Sequence, residues 1–353
     1  MGPRLPPDPI LPGAVELLGD GGRAMVGRFL SDRGWSPCAV EPVQVFYRPG
    51  RSMTVRFDVR ARRRGGPLDV LTVAAECQAG DPVRVWAFPE DPSLPGLPAS
   101  VEFPVTDGDG VRATEMLRYR PRRRAVLRYR FPVGGVLFGK VLPPARARRA
   151  LEATGALCPD ARPELRLALP AAGPAPGALV VAPVDGRPLR DLLLAGDTLP
   201  SPTRLARLSE DLAGMIRPSL RRPLAASPAA TRVTVVSEAA GLTGHLLPSL
   251  RPTLDEVLAA VAHAIDSDPP DRHPVHGDLY EAQLLVGDDG TLGLLDLDDL
   301  GLGDPLLDAA TFSAHLVALA LQPGPATTRI LAYRAELRRA FLDRLGAPEH
   351  SLR

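Results

Sequence analysis

Apolar runs rich in β-branched and aromatic residues, interrupted by Pro and Gly, mark the first part of the chain. The runs at residues 43–47, 53–59, 68–75 and 83–88 have the length and composition of short strands. Residues 14–33, which precede them, show a helical pattern. The pattern therefore predicts a β-rich N-terminal region that begins with one short helical segment.

A second set of strands follows a Pro- and Gly-rich connector at residues 89–100. Apolar runs at 115–120, 125–131 and 136–142 predict three strands, and the Pro-Val-Gly-Gly sequence between the last two predicts a hairpin turn. Lys140 lies in the third of these strands. A helical pattern follows directly.

Helical patterns dominate the second half of the chain. An apolar run that begins at Ala178 predicts a strand, a turn and the start of a helix, and the β-rich and helical halves join near Ala182. Thr253 and Glu256 form a capping-box pattern, which predicts a helix start. The segment "QLLVGDDGTLGLL" predicts a strand, a turn and a strand, and two long helices follow. The whole pattern predicts an α+β fold.

The size and composition are those of a two-lobed globular protein. A chain of 353 residues with 45% hydrophobic residues exceeds what one compact core usually holds. A net charge of +1 gives no reason to expect a nucleic-acid or membrane partner.

The chain shows no sign of membrane insertion or export. No stretch approaches about 18 uninterrupted apolar residues, and the N-terminus lacks the apolar segment of a secretion signal. Three dispersed cysteines without metal-ligand spacing are typical of reduced thiols, so we expect a cytoplasmic protein. The sequence gives no indication of the oligomeric state.

Lys140 is the only lysine among 42 basic residues, and the chain has no Asn. Lys and Asn share A-rich codons, so a strong G+C bias is the simplest cause of both. A lysine that remains is either one that the broad guanidinium of Arg cannot replace or an exposed residue retained by chance. The count alone leaves both interpretations open.

Several residues could together transfer a phosphoryl group. Transfer from ATP requires a cation on the phosphates, oxygen ligands for Mg²⁺ and a carboxylate near the acceptor hydroxyl. Lys140 supplies a cation on a strand of the β-rich half. Asp278 follows a His-Gly pair at the mouth of a loop, and Asp296 ends an apolar strand 18 residues later.

The segments "HGDLYEAQLLV" and "LLDLDDLGLGDPLLDAA" resemble two motifs of the aminoglycoside phosphotransferase and choline kinase family. The first is similar to its His-Gly-Asp-x-x-x-x-Asn loop and the second to its Ile-Asp…Gly-Asp-Pro-x-x-Asp stretch. They stand in the right order and at the right separation over residues 276–310, whereas the N-terminal half matches only in outline. The resemblance implies a protein-kinase-like bilobal fold. Its parts would be an N-terminal cap at 1–105, a β-rich ATP-binding lobe at 106–182, and a helical lobe with the catalytic loop and acceptor site at 183–353.

By the same resemblance, Asp278 is the general base or orienter for the acceptor hydroxyl, and His276 of the same loop is a second catalytic residue. Gln283 and Asp296 would bind Mg²⁺, and Asp298 would reach a second metal ion. The alternatives are that His276 is a core histidine that ties the loop to its surroundings, and that Asp298 belongs to a solvated acidic turn.

Lys140 would hold the α- and β-phosphates and point into the cleft between the lobes. The backbone at residues 182–184, including Ala182 and Val184, would meet adenine. Arg122–Arg124 lie where kinases have a Gly-rich loop, and these arginines, with Arg123 as the candidate phosphate ligand, either face the phosphates or are solvated. Glu152, on the helix after Lys140, either pairs with the lysine or is a surface residue.

Gln283 stands where the family loop carries Asn. Its carbonyl oxygen is also a neutral, hard Mg²⁺ ligand, displaced by about a bond length by the extra methylene. Because the whole chain lacks Asn, codon pressure accounts for the replacement. We therefore expect a working site in which the Gln283 oxygen faces Asp296.

The resemblance implies an ATP- and Mg²⁺-dependent phosphotransferase that acts on a hydroxyl of a small molecule such as an aminoglycoside, a sugar or an amino alcohol. Bacterial maltokinases carry a similar N-terminal cap, which suggests a sugar. Two alternatives remain. One is a kinase of a peptide Ser or Thr in natural-product biosynthesis, and the other is a non-catalytic pseudokinase that binds nucleotide or a partner protein.

Overall fold

The computed structural model of the chain describes residues 6–102, 113–132, 134–217, 224–227, 232–267 and 273–348. Most strands lie before residue 182, and most helices lie after it. The predicted α+β, protein-kinase-like arrangement of a β-rich N-terminal half and a helical C-terminal half is confirmed. Within the described residues, no helix has the length and apolar character needed to span a bilayer.

The N-terminal part is a four-stranded antiparallel sheet packed against two helices. The predicted helix at 14–33 is two helices, because the chain is extended at Gly19 (φ −90°, ψ −153°). The strands are longer than the apolar runs, since backbone pairing continues from Trp35–Arg63 to Arg48–Ser52 through polar positions. The elements are α1 (Gly13–Leu18), α2 (Asp20–Ser31), β1 (Trp35–Arg48), β2 (Ser52–Arg63), β3 (Leu68–Gln78) and β4 (Arg84–Ala87), with strand order β1-β2-β3-β4.

The two N-terminal helices cover one face of this sheet. Val55, Phe57 and Val59 alternate along β2 and are fully buried against Leu17 and Val26 of the helices. Successive strand side chains point to opposite faces, so this spacing puts all three on the covered face. The N-terminal sheet therefore has an apolar core of its own.

A second, five-stranded sheet holds Lys140 at its centre. Lys140 lies opposite Val126 on one neighbouring strand and opposite Leu179 on the other. Backbone pairing on both sides fixes the position of the lysine. The elements are α3 (Leu97–Val101), β5 (Ala113–Arg120), β6 (Arg124–Arg130), β7 (Val136–Val141), α4 (Pro144–Thr154), β8 (Leu165–Leu167), β9 (Pro170–Ala172) and β10 (Ala178–Val181), with strand order β5-β6-β7-β10-β9.

The C-terminal half packs helices around two small sheets. Phe312, Leu316, Ile330 and Leu337 from the last two helices bury their side chains in one core with Leu294. The elements are β11 (Arg187–Pro188), α5 (Leu189–Ala195), α6 (Pro202–Ala206), α7 (Leu208–Met215), α8 (Arg232–Leu246), α9 (Arg251–Ser267), β12 (His273–Val275), β13 (Leu284–Val286), β14 (Leu292–Leu294), β15 (Gly301–Gly303), α10 (Pro305–Ala320) and α11 (Thr327–Leu345). The small sheets have the orders β11-β13-β14-β8 and β12-β15, so the 276–283 loop lies between strands of different sheets.

The start of helix α9 differs from its prediction, and the division into domains is untested. Helix α9 begins at Arg251, directly after a short 3-10 turn, so Thr253 is inside the helix and the predicted start was two residues late. The division into parts at 1–105, 106–182 and 183–353 stays a prediction, since residues 103–112 lie outside the described residues.

The two large sheets are joined by a buried carboxylate, Asp91. It accepts hydrogen bonds from the Tyr119 hydroxyl (2.7 Å), the Arg122 backbone N–H (2.7 Å) and the Ser93 backbone N–H (2.8 Å). Arg122 has a left-handed backbone (φ 63°) in the turn between β5 and β6, and its guanidinium also pairs with the buried Glu76 of β3. The N-terminal sheet thus fixes a turn that lacks glycine.

We expect Asp91→Ala to lower the free energy of unfolding by about 1–3 kcal/mol, because it removes the acceptor of the buried Tyr119 hydroxyl and of the half-buried Arg122 N–H. Urea unfolding followed by circular dichroism measures the change. Asp69→Ala, at an exposed position on β3, is the matched control and should stay within about 0.5 kcal/mol of the parent protein. Equal stability of the two variants would contradict a structural role for Asp91.

Candidate active site

Lys140 meets two carboxylates where the β-rich and helical halves face each other. Its ammonium pairs with Asp296 Oδ1 and with Asp298 Oδ2, the latter at 2.7 Å. Asp296 follows β14, and Asp298 lies in the 3-10 turn Leu297–Asp299. The lysine side chain is 12% exposed. The prediction that the only lysine points into the cleft is confirmed, whereas its contact with phosphates stays a prediction.

Two arginines complete the charged cluster. Arg124 Nη1 lies 3.1 Å from Asp296 Oδ2. Arg146 Nη2 lies 3.5 Å from Asp299 Oδ1 and 3.8 Å from Asp298 Oδ2. Arg124 is one of the three arginines of the basic turn for which the sequence left a phosphate contact open, whereas Arg146, one of several arginines on α4, was not predicted. Their roles depend on which way each side chain points.

The pKa values of the two buried carboxyl groups, Asp296 and Asp298, are shifted in opposite directions. Burial raises the pKa of Asp296, but the Lys140 ammonium and then Arg124 outweigh it, so the pKa lies below its ordinary value. Burial, together with the charge of Asp296, keeps the pKa of Asp298 above its ordinary value despite Lys140. Asp296 therefore holds its negative charge more firmly than Asp298.

Asp296 has a left-handed backbone (φ 57°, ψ 53°). For a residue with a Cβ this conformation costs roughly 1–2 kcal/mol. The contacts of its carboxylate with Lys140, Arg124 and Gln283 offset that cost. The strained turn directs the carboxylate into the cleft.

Asp308 of α10 holds the loop that contains Asp278. Its carboxylate accepts hydrogen bonds from the backbone N–H groups of His276 (2.7 Å) and Gly277 (2.9 Å). Gly277 has φ 83°, and a Cβ there would lie 2.5 Å from the Asp299 carbonyl oxygen. Only glycine fits such a close approach in this conformation. The loop is therefore packed directly onto the acidic turn.

His276 positions this loop and does not face the cleft. The residue is 1% exposed, and its Nε2 donates to the Leu295 carbonyl oxygen at 2.7 Å. Its Nδ1 accepts from the backbone N–H of Asp278 at 3.2 Å. With both ring nitrogens occupied, His276 has no atom left for a substrate. The assignment of His276 to the catalytic groups is corrected to the core-histidine alternative.

Gln283 reaches Asp296, but with the other end of its amide. Its Nε2 donates to Asp296 Oδ2 at 3.2 Å and to the Tyr280 hydroxyl at 3.1 Å. The expectation that the oxygen faces Asp296 is not met in this arrangement. Rotating the amide by half a turn exchanges its oxygen and nitrogen, so a ligand role stays a prediction.

Tyr280 is a site residue that the sequence analysis missed. Its ring stacks on His315, with 4.3 Å between the ring centroids, and its hydroxyl accepts the Gln283 amide. Burial raises the pKa of the phenol, and the charges of Asp278 and Asp296 raise it further. The hydroxyl therefore lies within electrostatic range of both carboxylates. The feature of the sequence that could have identified Tyr280 is its position two residues after Asp278.

A cavity of about 690 Å³ opens beside the cluster. Ala182 and Val184 line it together with the apolar side chain of Phe138, and Lys140 and Asp296 stand at its polar part. Largely apolar walls with a few charged groups at one end are typical of small-molecule sites. The structure thus puts the residues predicted to meet adenine and phosphate in one cavity.

Two predicted contacts are absent from this cavity. Arg123 lies on the other side of the β5–β6 turn, about 5.9 Å from the Phe46 ring centroid, and Arg124 takes its place because neighbouring residues point to opposite sides. Glu152 is exposed on α4, and among the described residues the carboxylates paired with Lys140 are Asp296 and Asp298. The surface alternative for Glu152 is confirmed.

The donor set suits Mg²⁺. Asp296, Asp298 and Gln283 offer hard oxygen ligands, and the buried Asp298 Oδ2 lies 2.7 Å from the Lys140 ammonium. No group of three or more His, Cys, Asp or Glu in the described part of the chain could hold a metal by itself. Mg²⁺ is commonly held by one or two carboxylates together with substrate phosphates, which fits this pair.

Residues 108–342 match the phosphotransferase enzyme family. The chain belongs to this family. It is therefore a phosphotransferase, and the resemblance identified from the sequence is confirmed. No curated protein sequence matches the chain.

Several solved structures of phosphotransferases are similar in part. The GDP and kanamycin complex of APH(2'')-IIia is 18% identical, covering 70% of this chain and 84% of that chain, with a TM-score of 0.43. The aminoglycoside phosphotransferase APH(3'')-Id from Streptomyces rimosus, in complex with ADP and streptomycin, is 19% identical, covering 69% and 91%, with a TM-score of 0.41. The macrolide 2'-phosphotransferase MphH from Brachybacterium faecium is 17% identical, covering 69% and 93%, with a TM-score of 0.34.

Proposed function

We propose that this phosphotransferase moves the γ-phosphate of ATP to a hydroxyl group of a small molecule and uses Mg²⁺. One observation supports this most: Lys140 is paired with Asp296 at the polar part of a cavity that Ala182 and Val184 also line. A nucleotide with its base among the apolar walls would bring its phosphates to the lysine.

The cations of the cluster are suited to bind phosphate oxygens. Lys140, Arg124 and Arg146 are fixed by ion pairs with aspartates, so their charges are positioned before any ligand arrives. Such preorganised charges stabilise the negative charge spread over a transferring phosphoryl group. We assign Arg124, rather than Arg123, to the phosphates and add Arg146 to the predicted nucleotide site.

Asp278 is the candidate group for the acceptor hydroxyl. Its backbone N–H donates to His276 Nδ1, and the His276 N–H donates to the Asp308 carboxylate. These two hydrogen bonds fix the backbone from which the Asp278 side chain extends. A carboxylate in hydrogen-bond reach of the hydroxyl orients it and takes its proton. Asp296, Asp298 and Gln283 would hold Mg²⁺, which when bound offsets charge on the phosphates.

Gln283→Asn is expected to keep at least the parent activity, because Asn is the shorter amide of the family loop. Gln283→Ala is expected to raise the Mg²⁺ concentration needed for half-maximal ATP turnover by about tenfold, because water must replace the amide. Mg²⁺ titration of ATP hydrolysis in the three proteins measures this. Three superimposable Mg²⁺ curves would show that Gln283 is structural.

An ADP-release assay tests the proposed function. The protein is first titrated with ATP, with and without Mg²⁺, and then supplied with aminoglycosides, sugars, amino alcohols and peptides. Mg²⁺-dependent ADP release with one acceptor class supports the proposal. ATP binding without turnover on any acceptor would favour the pseudokinase alternative, and turnover on peptides alone would favour the peptide-kinase alternative.

A further inference from the structure

Strand β5 directs two arginines, Arg118 and Arg120, towards the cleft. Tyr119, which lies between them in the sequence, is fully buried on the other side of the strand, where its hydroxyl donates to Asp91 at 2.7 Å. Because successive strand side chains point to opposite faces, the two arginines share the face that is turned away from Asp91. Arg118 lines the cavity of about 690 Å³ together with Lys140, so this face is the one that covers the cleft.

The strand register places Arg120 beside the charged cluster. Arg120 lies opposite Arg124 in the pair of residues that closes the turn between β5 and β6. Directly opposite residues of an antiparallel pair have Cβ atoms about 4.5–5.5 Å apart on the same face of the sheet. Arg124 Nη1 in turn lies 3.1 Å from Asp296 Oδ2. The Arg120 side chain therefore starts next to the residue that contacts a proposed Mg²⁺ ligand.

Arg120 also faces the loop that contains Asp278. Tyr280 of that loop lies within electrostatic range of Arg120 and of Asp278. Electrostatic interactions weaken with distance, so the three side chains are close to one another. Arg120 is thus near Arg124 and Asp296, on the proposed nucleotide side of the site, and near Tyr280, on the side of the proposed acceptor group.

The positive charge of Arg120 is not compensated. Among the described residues no carboxylate pairs with it, and its buried Nε has no hydrogen-bond partner there. Burial lowers the pKa of Arg120, and the charges of Arg118 and Arg124 lower it further. Lys140 and Arg124, by contrast, both pair with Asp296. An anionic group that enters the cleft would therefore find Arg120 as a half-buried cation without a partner.

We propose that Arg120 is a catalytic residue that binds oxygens of the phosphoryl group while that group is transferred. The inference rests on the proposed function and adds a residue to it. A guanidinium offers a planar fork of N–H donors that matches two phosphate oxygens. Lys140 and Arg124, which are paired with Asp296, would hold the phosphates that stay with ADP.

The transfer step defines what Arg120 contributes. The oxygen of the acceptor hydroxyl bonds to the γ-phosphorus, and the bond between that phosphorus and the bridging oxygen of ATP breaks. The bridging oxygen keeps the electron pair and leaves with ADP, while the proton of the hydroxyl passes to the Asp278 carboxylate. Arg120 keeps its own protons and donates hydrogen bonds to the oxygens of the moving group. Because these hydrogen bonds are best formed during the transfer, they lower its barrier more than they strengthen nucleotide binding.

Arg120→Gln in the full-length protein tests this role. Mg²⁺-dependent ATP hydrolysis, with water as the acceptor, should fall by about 100-fold or more. The affinity for Mg²⁺ and ADP should change by less than about threefold, which also shows that the fold is intact. The affinity for Mg²⁺ and ADP with aluminium fluoride, an analogue of the phosphoryl group in transfer, should fall about as much as the rate. ADP release measures the rate, and calorimetric titration measures both affinities.

Two further variants serve as controls. Arg120→Lys keeps the charge without the fork of donors, and it should lower the rate of hydrolysis less than Arg120→Gln does. Arg130→Gln changes an exposed arginine at the last residue of β6, about 20 Å along that strand from Arg124. It should leave hydrolysis and both affinities unchanged.

The outcomes separate this inference from the proposed function. Unchanged hydrolysis in Arg120→Gln, or an equal loss of affinity for ADP with and without aluminium fluoride, overturns the catalytic role and leaves the proposed function in place. A lysine that restores none of the rate, or an equal loss in Arg130→Gln, also overturns the role. A parent protein that neither binds Mg²⁺ and ADP nor hydrolyses ATP overturns the proposed function, and the inference with it.

Discussion

Replacing Lys140 with Arg is expected to reduce kcat/KM for ATP by roughly 100-fold or more, although the charge is kept. The Lys140 ammonium fits between Asp296 and Asp298 with its stem enclosed by two neighbouring strands. A guanidinium is planar and broader, and it cannot meet both carboxylates and a phosphate from the same position. Mg²⁺-dependent ATP hydrolysis and binding of a fluorescent ATP analogue measure the loss.

Arg146→Lys is the matched control for this charge-conserving exchange. Arg146 contacts the same acidic turn, but its side chain is 41% exposed and its nearest carboxylate contact is 3.5 Å. The site tolerates a compact cation there, so kcat/KM should fall by less than about tenfold. If Lys140→Arg retained parent activity with an intact fold, the survival of the only lysine would be due to chance.

The sequence predicted the parts of the site that depend on backbone order. Lys140 and Asp296 each stand at the end of a recognisable apolar run, so their contact follows once the family fold is assumed. The β-rich and helical halves were likewise visible in the apolar patterns of the chain. Features that follow from the local pattern of residues are found in the structure at their predicted positions.

Side-chain direction was not predictable in the same way. Arg123 and Arg124 are adjacent and chemically identical, and only the turn at Arg122, held by Asp91, decides which one reaches Asp296. That hydrogen bond joins residues 31 positions apart, so no local pattern encodes it. The orientation of the Gln283 amide depends in the same way on Tyr280 and Asp296.

The N-terminal sheet was predicted as an addition to the nucleotide lobe, but its contacts suggest a larger part in the site. Glu76 and Asp91 fix the β5–β6 turn from one side, and Arg48 contacts Glu238 of α8 in the C-terminal half. These contacts join residues that are far apart in the chain, so the sequence could not predict them. The N-terminal sheet therefore contacts both the β5–β6 turn and helix α8 of the C-terminal half.

Asp278→Asn is expected to lower the rate of phosphoryl transfer by about 10²–10⁴-fold while changing ATP affinity by less than about threefold. An amide can still occupy the space and donate a hydrogen bond, but it cannot take the proton of the acceptor hydroxyl. The loop itself should stay in place, because Asp308 holds it through the backbone N–H groups of His276 and Gly277. Single-turnover phosphate transfer and ATP titration, made on the same preparation, separate the two effects.

Asp160→Asn is the matched control, because Asp160 is an exposed aspartate in the 3-10 helix Pro159–Ala161, away from the cluster. It should leave both transfer and ATP affinity unchanged. Near-normal transfer by Asp278→Asn would remove the general-base assignment. Loss of ATP binding together with transfer would instead make Asp278 a structural residue of the nucleotide site. Loss of transfer alone is the expected result, because Asp308 holds the loop through the backbone N–H groups of His276 and Gly277.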